Sequence, residues 1–123
     1  MKNNMATIRI TDLSLRTIIG TNDWERTNKQ DVVINVVFEY DAKKASKSDN
    51  IKDAVDYKIV TKKIIKEVET SQYGLLEKLT ESVLKIVMED SKVLSATVQI
   101  AKPFALRFAK SVSVELSAKR PNE

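Results

Sequence analysis

From residue 31 to residue 40 every second side chain is large and apolar: Val32, Ile34, Val36, Phe38 and Tyr40. Successive side chains of a strand point to opposite faces, so this run specifies an extended strand with one face turned to a core. The same period of two recurs three times. Ile8 and Ile10, then Leu13 and Leu15, mark a strand over 7–18 whose phase slips at Thr11-Asp12, which predicts a bulge. Ala96, Val98 and Ile100 mark a strand over 93–102 that Pro103 ends, and Val112, Val114 and Leu116 mark one over 107–119. Between the second and third strands the period becomes helical. Ile59, Val60, Ile64, Ile65 and Val68 form one apolar stripe from Tyr57 onward, with Asp56 as its N-cap; Leu76, Leu79, Val83, Leu84 and Val87 form another over 75–90. The break at 71–74 predicts a left-handed C-cap at Gly74. Residues 20–30 read as a polar turn, and 41–54 as an exposed Lys- and Ser-rich connection with room for one short helical turn.

The order strand, strand, helix, helix, strand, strand predicts an α+β chain, ββααββ: a four-stranded antiparallel sheet with both helices on one face. At 123 residues it is expected to form a single domain over 1–123, with an ordered core over 6–120. The face away from the helices is small and polar: Asn35, Glu39, Thr97, Gln99, Ser111, Ser113 and Glu115. It suits either open solvent or the wet lining of a barrel built from several chains. Pairing first and last strands between copies would remove exposed sheet edges.

Composition narrows the chemistry. The chain has no Cys and no His, which removes disulfides, zinc sites built on those residues and the commonest general base. Any catalysis falls to Lys, Arg, Asp, Glu, Tyr, Ser or Thr, or to a bound cofactor. The net charge of +4 suits phosphorylated metabolites, nucleic acid or an anionic surface. RNA binding on a sheet wants exposed aromatics, and the polar face offers none. No apolar run is long enough to span a bilayer, so no membrane partner is expected. Met1-Lys2-Asn3-Asn4-Met5 lacks the apolar stretch of a secretory signal, and the cytoplasm is the expected compartment.

Five stretches carry a resemblance across about 110 residues: Leu15-Arg16-Thr17-Ile18-Ile19-Gly20; Glu25 before Gln30-Asp31; Ser48-Asp49-Asn50-Ile51 leading to Asp56-Tyr57; Leu75-Leu76-Glu77-Lys78-Leu79; and Ile100-Ala101-Lys102-Pro103. In this order they resemble the dihydroneopterin aldolase family of the tunnelling fold. The chain departs from aldolases at Ile19, where the family has His, and at Ala105-Leu106-Arg107-Phe108-Ala109, where aldolases have a proline-rich turn. Both departures resemble the sister branch, the 2′-epimerase of dihydroneopterin triphosphate, with plain aldolase the alternative. The resemblance implies a dihydropterin substrate, no metal, no cofactor, no nucleic acid, and a barrel of chains, an octamer of two stacked four-chain rings.

It also implies site residues. Glu77 matches the carboxylate that accepts the paired N–H donors of the pterin edge, with backbone near Leu76 meeting ring acceptors. Lys102 matches the general acid/base, a role that asks for a pKa nearer neutrality. Tyr57 matches the phenol that handles the proton on the intermediate's enol carbon, and Glu25 a carboxylate near the substrate side chain. Arg107 and Lys110, just after the lysine's turn, are candidates for the phosphates. Without the resemblance these would read as a solvated helix-start Glu, a strand-end Lys, a half-buried Tyr and a loop charge. The run Lys58, Lys62, Lys63, Lys66 reads as a solvated helix face.

Overall fold

The computed structural model describes residues 4–121. Positions 1–3 and 122–123, which hold most of the N-terminal segment considered above and both ends of the expected domain, lie outside the described residues. The chain runs β1 (Met5–Ile19), α1 (Asp23–Thr27), β2 (Gln30–Asp41), α2 (Lys43–Ser48), a 3-10 turn (Ile51–Asp53), α3 (Tyr57–Thr70), β3 (Gln72–Tyr73), α4 (Leu76–Met88), β4 (Val93–Pro103) and β5 (Ser111–Lys119).

β1, β2, β4 and β5 pair antiparallel as the alternation demands. The phase slip becomes a bulge: the β1–β2 register shifts between Ile10 and Leu13, and Asp12 takes φ 57°. Asn35 stabilises that left-handed residue, its Oδ1 accepting from Asp12 N–H at 2.8 Å. The helices cover one face. Val60, Ile64 and Val68 of α3 and Leu79, Val83 and Val87 of α4 are buried with Ile34, Val36, Phe38, Val98 and Ile100 of the sheet. Burial of a side chain such as Phe38, fully enclosed, is worth roughly 2–3 kcal/mol. On the opposite face polar side chains bond one another: Thr7 and Ser95 both donate to Glu39, at 3.3 and 3.1 Å, and Thr97 meets Ser117 at 2.8 Å. Among the described residues no helix is long and apolar enough to cross a membrane.

Four local expectations change. Among the described residues the sheet has five strands in the order β3-β1-β2-β4-β5, because Gln72–Tyr73 pairs parallel with Ile18–Ile19. Gly74 is no left-handed cap; Gly20, at φ 125°, is the glycine in that region. α3 instead ends in extended geometry at Ser71, since β3 must leave along β1. The hydroxyl of Thr17 lies 2.6 Å from Val68 O and 3.2 Å from Ser71 O, and the Ser71 hydroxyl lies 2.9 Å from Val68 O, so side chains satisfy carbonyls a left-handed cap would serve. The turn at 20–30 contains the short helix α1. The last strand starts at Ser111 rather than 107, because Phe104 and Phe108 sit at φ 58° and 72° and close a tight loop in which Phe104 N–H donates to Lys110 O at 2.9 Å.

Candidate active site

Two distant segments meet where β1 and β4 end. Pro103 closes β4, and Lys102 just before it has a side chain on the helix-covered face, shared with its cross-strand partner Val112. From the other side α1 lifts Glu25 toward it. Lys102 Nζ donates to Glu25 Oε2 at 2.6 Å, and each side chain is only 13% exposed. Gln30 Nε2 fixes the carboxylate from beneath, donating to Glu25 Oε2 at 3.0 Å and to Ile19 O at 2.7 Å. Asn22 N–H donates to Glu25 Oε1 at 3.2 Å. Gly20 makes the arrangement possible: a Cβ there would overlap the Glu25 carboxyl group. The Lys102 hydrogen bond, and next that of Gln30, lower the Glu25 pKa from 4.5 to about 2. Lys102 therefore faces a full carboxylate at neutral pH.

Beside this pair opens a cleft of about 350 Å3, lined by Ile19, Gly74, Leu75, Leu76, Glu77, Lys102 and residues of the loop and β5. That volume accepts a small planar ring. Its walls are mostly apolar, with the Glu77 carboxylate and the Lys102 ammonium as polar groups. Leu76 and Glu77 form the first turn of α4, where backbone N–H groups point outward and Leu75 supplies no side-chain cap. A carboxylate at that position is also favoured by the helix dipole. The arrangement can grip a ring bearing adjacent N–H donors and offer a proton-exchanging pair to the substituent beside it.

Lys102, Glu25, Leu76 and Glu77 are thus brought together. Tyr57 is not. It begins α3, 52% exposed, whereas the last turn of that helix is the part bonded to Thr17 near the site. Fourteen residues of helix put Tyr57 about 20 Å away along the axis. Arg107 lies over the exposed Phe108 ring at 5.1 Å, and Lys110 ends the same loop, its carbonyl accepting from Phe104 N–H at 2.9 Å; neither lines the cleft. Arg26 went unremarked in the sequence. Its guanidinium donates to Gly20 O at 2.9 Å, Tyr73 O at 3.1 Å and Gln72 O at 2.6 Å, joining the Glu25 turn to the strand that leads into α4. The roles of Gly20 and Gln30 were also missed, although their placement five residues either side of Glu25 is the available signal.

A family model described as dihydroneopterin aldolase matches residues 8–117. A dihydroneopterin triphosphate 2′-epimerase of Escherichia coli strain K12 is 51% identical over 115 residues, covering 94% of this chain and 96% of that protein. An enzyme of the same name from Pseudomonas aeruginosa is 47% identical over 116 residues, 94% of each chain. Among solved structures, Escherichia coli dihydroneopterin aldolase in complex with neopterin superposes with a TM-score of 0.87 at 28% identity, covering 92% of this chain and 98% of that one. With this fold, this pairing of Lys102 and Glu25, and matches along nearly its whole length, the chain belongs to the dihydroneopterin aldolase family.

Proposed function

We propose that the protein is a dihydroneopterin triphosphate 2′-epimerase, inverting C2′ of the pterin side chain without a metal or cofactor. The observation that carries the reading is the Lys102–Glu25 pair at the edge of the cleft that Leu76 and Glu77 line. Identity favours the epimerase over the aldolase, at 47–51% against 30%. In the reaction, Glu77 accepts the two adjacent N–H donors of the pterin edge, a charge-assisted bidentate contact. Lys102, held by Glu25, exchanges the proton of the 2′-hydroxyl. As that proton passes to Lys102, which gives one of its ammonium protons to N5, the C1′–C2′ bond breaks, an aldehyde forms at C2′, and the electron pair moves through C1′ into the C6=N5 imine to give an N5–H enamine. Re-addition through the opposite face of the aldehyde remakes the bond with C2′ inverted. The aldolase outcome differs in one step: protonation of the enamine carbon lets the aldehyde depart. Tyr57 handles that proton.

Because Tyr57 begins α3, about 20 Å along the helix axis from the last turn that adjoins the site, the complete site takes Tyr57 from a neighbouring copy in a barrel-shaped homo-octamer. Arg107 and Lys110 are assigned to the phosphates, from the loop beside the pair. The polar sheet face lines the barrel, and the cytoplasm is the compartment. Incubation with dihydroneopterin and its triphosphate separately, followed by resolution of stereoisomers and released aldehyde, tests the reading. Inversion without aldehyde is expected from the triphosphate; stoichiometric aldehyde would make the protein an aldolase.

A further inference from the structure

A larger cleft, about 560 Å3, lies where β2 ends, eight residues beyond the Val33–Ala101 pair that adjoins Lys102. It is lined by Asp41, Lys43, Lys44, Lys47, Ser48 and Asp53. A second cleft of about 370 Å3 shares Asp41, Lys44 and Asp53 with it and adds Lys52 and Lys92, so the two form one elongated trough. Lys92 is engaged by Asp90 at 3.6 Å. The ammonium groups of Lys43, Lys44, Lys47 and Lys52 have no carboxylate within ion-pair distance among the described residues. Two aspartates line the same space and keep their charge, each held in place by a local bond, Asp41 Oδ1 accepting from Lys43 backbone N–H at 2.9 Å and Asp53 Oδ2 from the Ser48 hydroxyl at 2.6 Å, so the four lysines leave the trough with a net positive charge. Four unpaired cations around a trough repel one another, and that repulsion is relieved by an extended polyanion rather than a single carboxylate.

We propose that the trough formed by α2 and the Ile51–Asp53 turn is a binding site for a polyphosphate chain. Compact, strongly charged ammonium groups on flexible stems suit successive phosphates, with no fixed bidentate geometry required. Two sources share this chemistry. One is the triphosphate tail of the substrate, a source that rests on the function proposed above: Lys52 precedes Tyr57 by five residues, so a neighbour that supplies Tyr57 brings Lys52 to within about 17 Å of it. The other is a free polyphosphate ligand.

Calorimetry with inorganic tripolyphosphate on the full chain tests the site. Wild type is expected to bind, and Lys44→Ala with Lys47→Ala to weaken binding about tenfold or more. Lys62→Ala with Lys66→Ala, which removes the same charge from the exposed face of α3, should change it less than about twofold. No binding by wild type, or equal loss in both double variants, overturns the proposal. Kinetics then separate the sources. A raised KM for dihydroneopterin triphosphate alone, with tripolyphosphate competing, assigns the trough to the substrate tail; binding with unchanged kinetics assigns it to a free polyphosphate. Failure to turn over either pterin would sink the proposed function and leave the binding measurement intact.

Discussion

Replacing Lys102 by Met removes the partner that holds Glu25 ionised, and the consequence can be sized. A carboxylate displaced from 4.5 to about 2 is stabilised by about 3 kcal/mol relative to an exposed one. The folded value lies below the unfolded one. The stability it contributes is therefore complete above pH 4.5 and lost as pH falls toward 2. Between pH 7 and pH 3 wild type should lose about 2 kcal/mol from this group, against about zero if Glu25 titrated normally. In the Lys102→Met protein the Gln30 and Asn22 bonds remain but the largest cause of the lowering is gone, so the Glu25 pKa should rise from about 2 toward 4.5. Carbon-13 NMR of carboxyl-labelled glutamate, assigned with Glu25→Gln, reads this directly, and urea unfolding at the two pH values reads its energetic counterpart. A wild-type Glu25 that titrates near 4.5, or a variant in which it stays near 2, would refute the pairing as the cause.

Gly20→Ala should abolish the pair, since the added methyl overlaps the Glu25 carboxyl and φ 125° is strained for any side chain; expect about 2 kcal/mol of lost stability with turnover down about 100-fold, checked by urea melts and kinetics. Glu77→Gln should weaken pterin binding by about 1.5–3 kcal/mol in a fluorescence titration, whereas Tyr57→Phe should lose aldehyde release from dihydroneopterin with inversion and affinity unchanged. Mixing the Tyr57→Phe and Lys102→Met proteins, each deficient in aldehyde release from dihydroneopterin, and letting subunits exchange should restore that release at about a quarter of sites, by random pairing of one intact residue from each neighbour; no recovery would place both residues in one chain's site. Thr17→Val removes the hydroxyl that reaches Val68 O and Ser71 O and should cost about 1 kcal/mol, because the Ser71 hydroxyl still donates to Val68 O at 2.9 Å; a shifted urea midpoint measures it.

The parts of this fold that announce themselves in sequence are those governed by short-range rules. Asp12 was legible because a bulge must break the alternation of Ile8, Ile10, Leu13 and Leu15. Asp56 was legible because its carboxylate accepts from Lys58 and Ile59 N–H as an N-cap should. β3 was not, since two residues carry no period and their pairing with Ile18–Ile19 spans more than fifty positions. Residues 107–110 misled for the opposite reason: the alternation of RFAKSVSV runs on through a loop whose backbone turns at Phe108. At the site, no spacing rule joins Glu25 to Lys102 across 77 positions, and only the family resemblance named both. Gly74 drew the assignment that belonged to Gly20, because the reason for Gly20 is a side chain five residues later rather than the local turn.

The two-residue strand β3 has a consequence for how such a protein can diverge. Its ladder is too short to fix the approach to α4, and the guanidinium of Arg26 supplies the missing bonds through three carbonyl oxygens. Lysine, a single point charge, could not reproduce that planar fork. Drift at position 26 is therefore tied to the length and conformation of the 71–75 crossover: a chain that abandons the arginine must lengthen the strand, reshape the turn, or accept a looser wall behind the ring.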